Sequence, residues 1–266
     1  MKNDVRVRHV ASRDNPVFKR LRALREGNRE GRKSGLALLE GPHLLAVAIA
    51  GGHRPELLAV RETWAEDEEV RGLVKSADCA EVVSLDERLF KAISDLASPA
   101  SMLAAVPIPA PAQALDARGC VVIDGLQDPG NAGTILRSAA AAGIGQALFS
   151  SGTVAAWSPR VLRAAQGAHF SLRILETEDL EGTLLAYPGK VIATVARGGR
   201  PPWTLDLRGP VAWVFGNEGA GLPRQTIDLA DALVTLPMSG ETESINVAAA
   251  AAVCFFEAVR QVGDEK

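Results

Sequence analysis

Val214-Phe-Gly-Asn-Glu-Gly-Ala-Gly-Leu-Pro223 closes a short apolar run, Val211 to Phe215, with three glycines in six residues. A run of that length bounded by glycines reads as a buried strand, and glycines at its C-terminal end permit positive φ and close backbone approach to a ligand. The spacing is GxxGxG, which is not the dinucleotide fingerprint GxGxxG, and no GxxxxGK motif occurs, so neither a standard dinucleotide site nor a P-loop is supported. Glu218 inside the run would repel a phosphate but suits a ribose hydroxyl or a cationic partner; a solvated loop glutamate accounts for it as well.

Upstream, Asp124-Gly-Leu-Gln-Asp-Pro-Gly-Asn-Ala-Gly-Thr-Ile-Leu-Arg137 follows a second apolar strand, Cys120 to Asp124. Asp128-Pro-Gly is turn chemistry, and Asn131 is expected to cap a helix running to Ala142, whose free N–H groups would face the same sheet edge. Arg137 lies about six residues into that helix, within expected reach of the opening, and a guanidinium can hold a phosphate bidentately. Downstream, Leu236-Pro-Met-Ser-Gly-Glu-Thr-Glu-Ser-Ile-Asn-Val247 leads into a terminal helix expected over Ser244 to Val262. Ser244 or a nearby threonine is its expected cap, with Asn246 in the first turn. The sequence leaves open whether Asn246 serves function or packing.

Around these segments, strands expected at Gln146–Ser150, Val191–Val195 and Ala232–Leu236 and a helix at Pro159–Gln166 imply a mostly parallel sheet covered on both faces. Before them, strands at Leu36–Leu39, Glu56–Val60 and Glu81–Val83 alternate with helices at Pro42–Ala50, Glu66–Ser76 and Asp86–Ile93, a small α/β unit ending near Val106. Pro107-Ile-Pro-Ala-Pro-Ala-Gln113 reads as a linker, because its prolines favour an extended chain. The expected domains are therefore 1–106, a linker 107–114, and 115–266.

Net charge is −3, yet Met1 to Gly35 hold 11 Lys or Arg against 4 acids, so basic charge is concentrated at one end. A helix over Val17 to Leu24 would place Phe18, Leu21 and Leu24 on a core, followed by a mobile Gly-rich link, Gly27 to Gly35. An electrostatic footprint for phosphates and a solvated helical face explain this charge equally well. Cys79, Cys120 and Cys254 fit no disulfide or zinc pattern and suit a reducing cytoplasm. His9, His43, His53 and His169 are scattered, which leaves no metal site and no Ser/His/Asp arrangement. No signal peptide or membrane-spanning run is expected.

Taken together and in this order, the Asn131, Gly216 and Asn246 segments resemble motifs 1, 2 and 3 of the SpoU (TrmH) branch of the SPOUT RNA 2′-O-methyltransferases. The resemblance covers roughly Gly119 to Val262. Leu39-Glu40-Gly41-Pro42-His43 resembles the start of that family's small RNA substrate-binding domain. The resemblance implies an α/β fold with a C-terminal parallel-sheet domain tied in a deep trefoil knot, an exception to the rule that chains do not thread loops. It implies S-adenosylmethionine as cofactor, held by backbone groups at Gly216, Leu236 and Ile245, with Thr194 and Met238 lining its site.

Asn131, Arg137, Glu218, Ser244 and Asn246 stand at the family's functional positions, and the implied assembly is a homodimer in which Arg137 can act across the interface. Ala248 replaces a serine found in many relatives, and Asn217 replaces a serine or alanine. The implied activity is methylation of a ribose 2′-hydroxyl, with rRNA favoured over tRNA because a separate substrate-binding domain is present. Arg137 is expected to orient a phosphate and stabilise developing alkoxide charge, since a guanidinium does not act as a base. Proton acceptance would fall to a phosphate oxygen, Glu218 or water. A non-catalytic RNA-binding module for ribosome assembly, and a doubly wound enzyme using NAD or ATP, are the competing expectations.

Overall fold

The computed structural model describes residues 6–27, 31, 33–94, 100–111, 113–239 and 244–263. It divides into two compact units, residues 1–109 with 157–170 and residues 110–156 with 171–266.

The first unit contains β1 (Val7–Val10), α1 (Pro16–Glu26), β2 (Leu36–Glu40), α2 (Pro42–Ala50), β3 (Leu57–Arg61), α3 (Glu68–Ser76), β4 (Glu81–Leu85), α4 (Glu87–Ile93) and β5 (Met102–Pro107). Its strands form one sheet in the order β1-β4-β3-β5-β2, parallel from β1 to β3 and antiparallel at β5. Alternation along each strand supplies two cores. Leu36, Leu38, Leu57 and Ala59 face Phe18, Leu21 and Phe90, while Ala37, Leu39, Leu58 and Val60 face Leu45, Val70 and Val74. Helix α1 forms as its sequence requires: Asn15 accepts from the Val17 N–H, Pro16 opens the first turn, and Gly27 closes it in the left-handed conformation. Part of the expected Gly27–Gly35 link lies outside the described residues.

Two of these strands were not expected. β1 is an edge strand with exposed Arg8 and His9, so it lacks an apolar pattern. β5 inserts between β2 and β3, and its pairing extends through Pro107, the first residue of the expected linker.

The second unit contains β6 (Cys120–Ile123), α5 (Pro129–Ala141), β7 (Gln146–Ser150), then, after an excursion, β8 (Arg173–Thr177), α7 (Leu180–Leu185), β9 (Lys190–Thr194), β10 (Val211–Phe215), α8 (Arg224–Asp228), β11 (Ala232–Val234) and α9 (Val247–Gly263). The excursion carries α6 (Pro159–Ala165). All six strands are parallel, in the order β11-β9-β10-β6-β7-β8. Central strands are buried throughout, as a sheet covered on both faces requires. One face packs Val122, Leu148, Ala193 and Val214 against Leu184 and Leu222. On Phe215 the Phe255 ring of α9 stands edge-on, 5.6 Å between centroids, and α9 also packs against α5. The order of strands reverses between β6 and β10, and ligands of open parallel sheets bind at the C-terminal strand ends beside such a switch.

The excursion belongs with the first unit. Leu162 of α6 is fully buried among Leu39, Leu45 and Leu58, and the Phe170 ring lies 4.9 Å from that of His53. The sequence had assigned this helix to the C-terminal domain, because a strand–helix alternation carries no mark of which core a helix will join. Leu162→Ala is expected to lower the stability of the first unit by about 2–5 kcal/mol in urea denaturation; a loss below about 1 kcal/mol would place the helix outside that core.

Candidate functional site

At the C-terminal ends of β9, β10 and β11 lies a cleft of about 630 Å3, within the range of small-molecule and cofactor sites. Thr194, Gly216, Leu236, Met238 and Ile245 line it, as do Glu218, Ser244 and Asn246. Its remaining walls combine apolar Val234, Ala250 and Cys254 with polar Asn217 and Arg197. Residues 240–243 of the third motif lie outside the described residues.

The glycine run is shaped chiefly by its own fold. Asn217 and Gly221 exchange backbone hydrogen bonds, and a Cβ on Gly216 would meet the Gly221 carbonyl carbon at 2.6 Å, so Gly216 is required by the returning loop. Within the run only Gly221 has positive φ, at +70°. Asn217 braces the turn: its Oδ1 accepts from the Gly219 and Ala220 N–H groups, both at 2.9 Å, and its Nδ2 donates to the Gly125 carbonyl at 3.0 Å. A serine or alanine there could not make all three contacts. Beneath it the buried Asp124 carboxylate accepts from Ser150 Oγ at 2.6 Å and Thr226 Oγ1 at 2.8 Å, joining β6 to β7 and α8.

Both expected helix caps differ from those observed. Asp128, not Asn131, caps α5 by accepting from the Asn131 N–H at 2.8 Å. Asp-Pro-Gly places the aspartate at the cap and the proline in the first turn, where no N–H is missed. This frees the Asn131 side chain. At the other helix, α9 begins at Val247, and Asn246 rather than Ser244 caps it: its Oδ1 accepts from the Ala248 and Ala249 N–H groups at 2.9 and 3.2 Å. Ser244 and Ile245 are thereby left outside the helix, at the cleft.

The freed Asn131 joins the three motifs. Its Nδ2 donates to Glu218 Oε1 at 3.1 Å, and its Oδ1 accepts from Asn246 Nδ2 at 2.8 Å. Glu218 also accepts from the Asp128 N–H at 3.2 Å and, more weakly, from the Gln127 N–H at 3.5 Å, at the start of α5. Burial pushes the Glu218 carboxyl up, but the hydrogen bonds from Asn131 and from backbone N–H groups outweigh it and hold the group below the usual glutamate range. Such a carboxylate is a poor proton acceptor. The cleft's thiol is equally quiet: burial pushes Cys254 up to about 12, so it stays protonated at neutral pH.

Arg137 was expected at this opening, but it is not among the cleft-lining residues. It lies about two turns along α5 from Asn131, exposed and without a hydrogen bond or ion pair among the described residues. Two features of the cleft were not anticipated. The Thr194 hydroxyl donates to the Val214 carbonyl at 2.9 Å, so it ties β9 to β10. The following Val195-Ala-Arg-Gly-Gly-Arg200 loop supplies Val195, Ala196 and Arg197 to the wall. Its paired glycines directly after a strand were the available signal.

Residues 119–256 match the SpoU rRNA Methylase family, and residues 15–104 match the MRM3-like substrate binding domain. An uncharacterized tRNA/rRNA methyltransferase of Synechocystis sp. is 32% identical over 262 residues, covering 95% of this chain and 93% of its own. The 23S rRNA (guanosine(2553)-2′-O)-methyltransferase RlmP of Bacillus subtilis is 32% identical over 231 residues, 86% of this chain and 90% of its own. Among solved structures, the SpoU methyltransferase AviRb of Streptomyces viridochromogenes, in complex with AdoMet, superposes with a TM-score of 0.85 at 26% identity over 93% of this chain and 98% of its own. An AdoMet-bound rRNA methyltransferase of Sinorhizobium meliloti gives 0.83 at 28% identity, over 96% and 98%.

Because its folded-state pKa is depressed, Glu218 contributes its tether fully above the unfolded-state value, and the contribution is lost as pH falls through the folded-state value. Carboxyl NMR titration should find the Glu218 midpoint below that of an ordinary glutamate in the wild type and raised in Asn131→Ala. An identical midpoint in the two proteins would show that the Asn131 contact does not hold the carboxylate.

Proposed function

The chain belongs to the SpoU rRNA methylase family, and from that premise we propose that it transfers a methyl group from S-adenosylmethionine to a ribose 2′-hydroxyl of structured RNA, with 23S rRNA as the substrate. The observation that carries this proposal is that Thr194, Gly216, Leu236, Met238 and Ile245, far apart in sequence, surround one cleft. Its mixed apolar and polar walls suit a nucleoside, and the absence of a P-loop suits a ligand without phosphates.

S-adenosylmethionine supplies an electrophilic methyl carbon on a sulfonium. Backbone groups at Gly216, Leu236 and Ile245 would hold it, and Asn131, Glu218 and Asn246 keep their three segments in register, which is the positional control a displacement needs. Glu218 acts as a tether rather than a base. The trefoil knot is part of the same proposal. It is supported by the tight crossing of the β9 loop over residues 233–235, where a Cβ on Gly199 would meet the Val234 carbonyl carbon at 2.6 Å.

Arg137 orients an RNA phosphate and stabilises charge developing on the ribose oxygen. Its distance along α5 from the cleft favours action on the cleft of a second copy. Supporting a homodimer, α9 exposes Val253, Phe256, Val259 and Val262, an apolar stripe unusual for a free surface. The first unit is the RNA-gripping domain. Its Lys19, Arg20 and Arg22 are held only in exposed ion pairs, which phosphates can replace at little cost. Arg160 and Arg163 of α6 add positive charge near Arg25 of α1. The reaction belongs in the cytoplasm, where rRNA is found and the three free cysteines stay reduced.

Purified protein with S-adenosylmethionine should methylate unmodified 23S rRNA at one ribose, and that methyl should be missing from a deletion strain. Methylation of tRNA alone would redirect the substrate, and cofactor binding without transfer to any RNA would favour a ribosome-assembly role. Arg137→Ala is expected to lower the single-turnover rate by about 10²-fold or more. Mixing it with a Gly216→Val protein should restore activity, because only a mixed dimer pairs an intact cleft with an intact Arg137 from the other copy. Failure to restore activity in verified mixed dimers would put Arg137 at its own cleft.

A further inference from the structure

Arg197 is the one Lys, Arg or His among the described residues lining the cleft. It is exposed, and among the described residues it has no hydrogen bond or ion pair. The only acidic residue in the described lining, Glu218, already accepts from Asn131 and from the N–H groups of Gln127 and Asp128. Among the described lining residues, Arg197 is therefore the charged group left without a hydrogen-bond or ion-pair partner.

The backbone under Arg197 is rigidly held. Val195 N–H donates to the Val234 carbonyl at 2.9 Å, Arg200 N–H to the Leu233 carbonyl at 2.9 Å, and Thr235 N–H to the Arg200 carbonyl at 3.0 Å. Across the loop, Gly199 N–H donates to Thr235 Oγ1 and Thr235 Oγ1 donates to the Val195 carbonyl, both at 2.9 Å. Gly198 makes the turn at φ +84°. A guanidinium on such a support selects an anion at one end of the cleft.

We propose that Arg197 binds the carboxylate of the methionine end of S-adenosylmethionine and so sets the direction in which the cofactor lies. This rests on the cofactor assignment above. The ammonium and sulfonium groups of that molecule are cations, which a guanidinium repels, and its single anion is the carboxylate. With that end drawn to the β9 loop, the uncharged nucleoside is left to the apolar wall formed by Leu236, Met238 and Ile245. An RNA phosphate is the other anion available to this position.

Calorimetric titration of the full-length protein with S-adenosylhomocysteine, S-adenosylmethionine and decarboxylated S-adenosylmethionine separates the two. Arg197→Gln should weaken binding of the two carboxylate-bearing ligands about 10-fold and leave the decarboxylated one unchanged, with Arg197→Lys between. The unchanged ligand also reports that the variant is folded. Equal loss for all three ligands would overturn the proposal, as would no loss for any of them alongside weaker RNA binding, which would assign Arg197 to a phosphate. If the wild-type protein bound none of the three, the cofactor assignment itself would fall, an outcome distinct from wild-type binding that Arg197→Gln does not alter.

Discussion

The Asn131 amide uses both of its ends, donating to Glu218 and accepting from Asn246, and the functional edge of the C-terminal sheet depends on that arrangement. These partners lie 87 and 115 residues away in sequence, so the three segments have no local reason to stay together. Each partner is itself committed to backbone. Glu218 meets the N–H groups of Gln127 and of Asp128, the cap of α5, and Asn246 caps α9. The clamp thus couples two helix starts and a glycine turn, satisfying N–H groups that helix ends otherwise leave without partners.

This arrangement decides the electrostatics of the cleft. Glu218 faces N–H donors that hold its carboxylate ionised and occupied. Among the described lining residues, Arg197 is the charged group left without a partner. Arg137 projects from α5 with no partner among the described residues. The nucleophilic side chains at the cleft are quiet, Cys254 by burial and Glu218 by hydrogen bonding.

The excursion from 157 to 170 shows how a helix can be encoded in one region and stabilise another. Leu162 completes a core built mainly from residues before Val106, and Gly167 packs so closely on Val47 that a Cβ would lie 2.7 Å from its Cγ1. Arg160 and Arg163, carried on the same helix, enlarge the basic character of the first unit near Arg25, beyond the cluster visible at the N-terminus.

Periodicity, turn residues and glycine spacing are local properties, and from them the alternation of strands and helices and the Gly216 and Asn246 segments of the cleft are legible in the sequence. It could not show β1, whose strand character comes from pairing rather than pattern, whereas β5 lies in an apolar run, Met102 to Val106, that carried a strand signal. It misplaced both caps because Asp128 and Asn131, like Ser244 and Asn246, are all competent cap residues, and only the path of the chain chooses among them. Arg197 needed the tertiary structure for the same reason. A glycine-rich loop after a strand predicts a turn, but the charge it carries becomes part of a site only when residues 233–235 cross beneath it and hold it at the cleft.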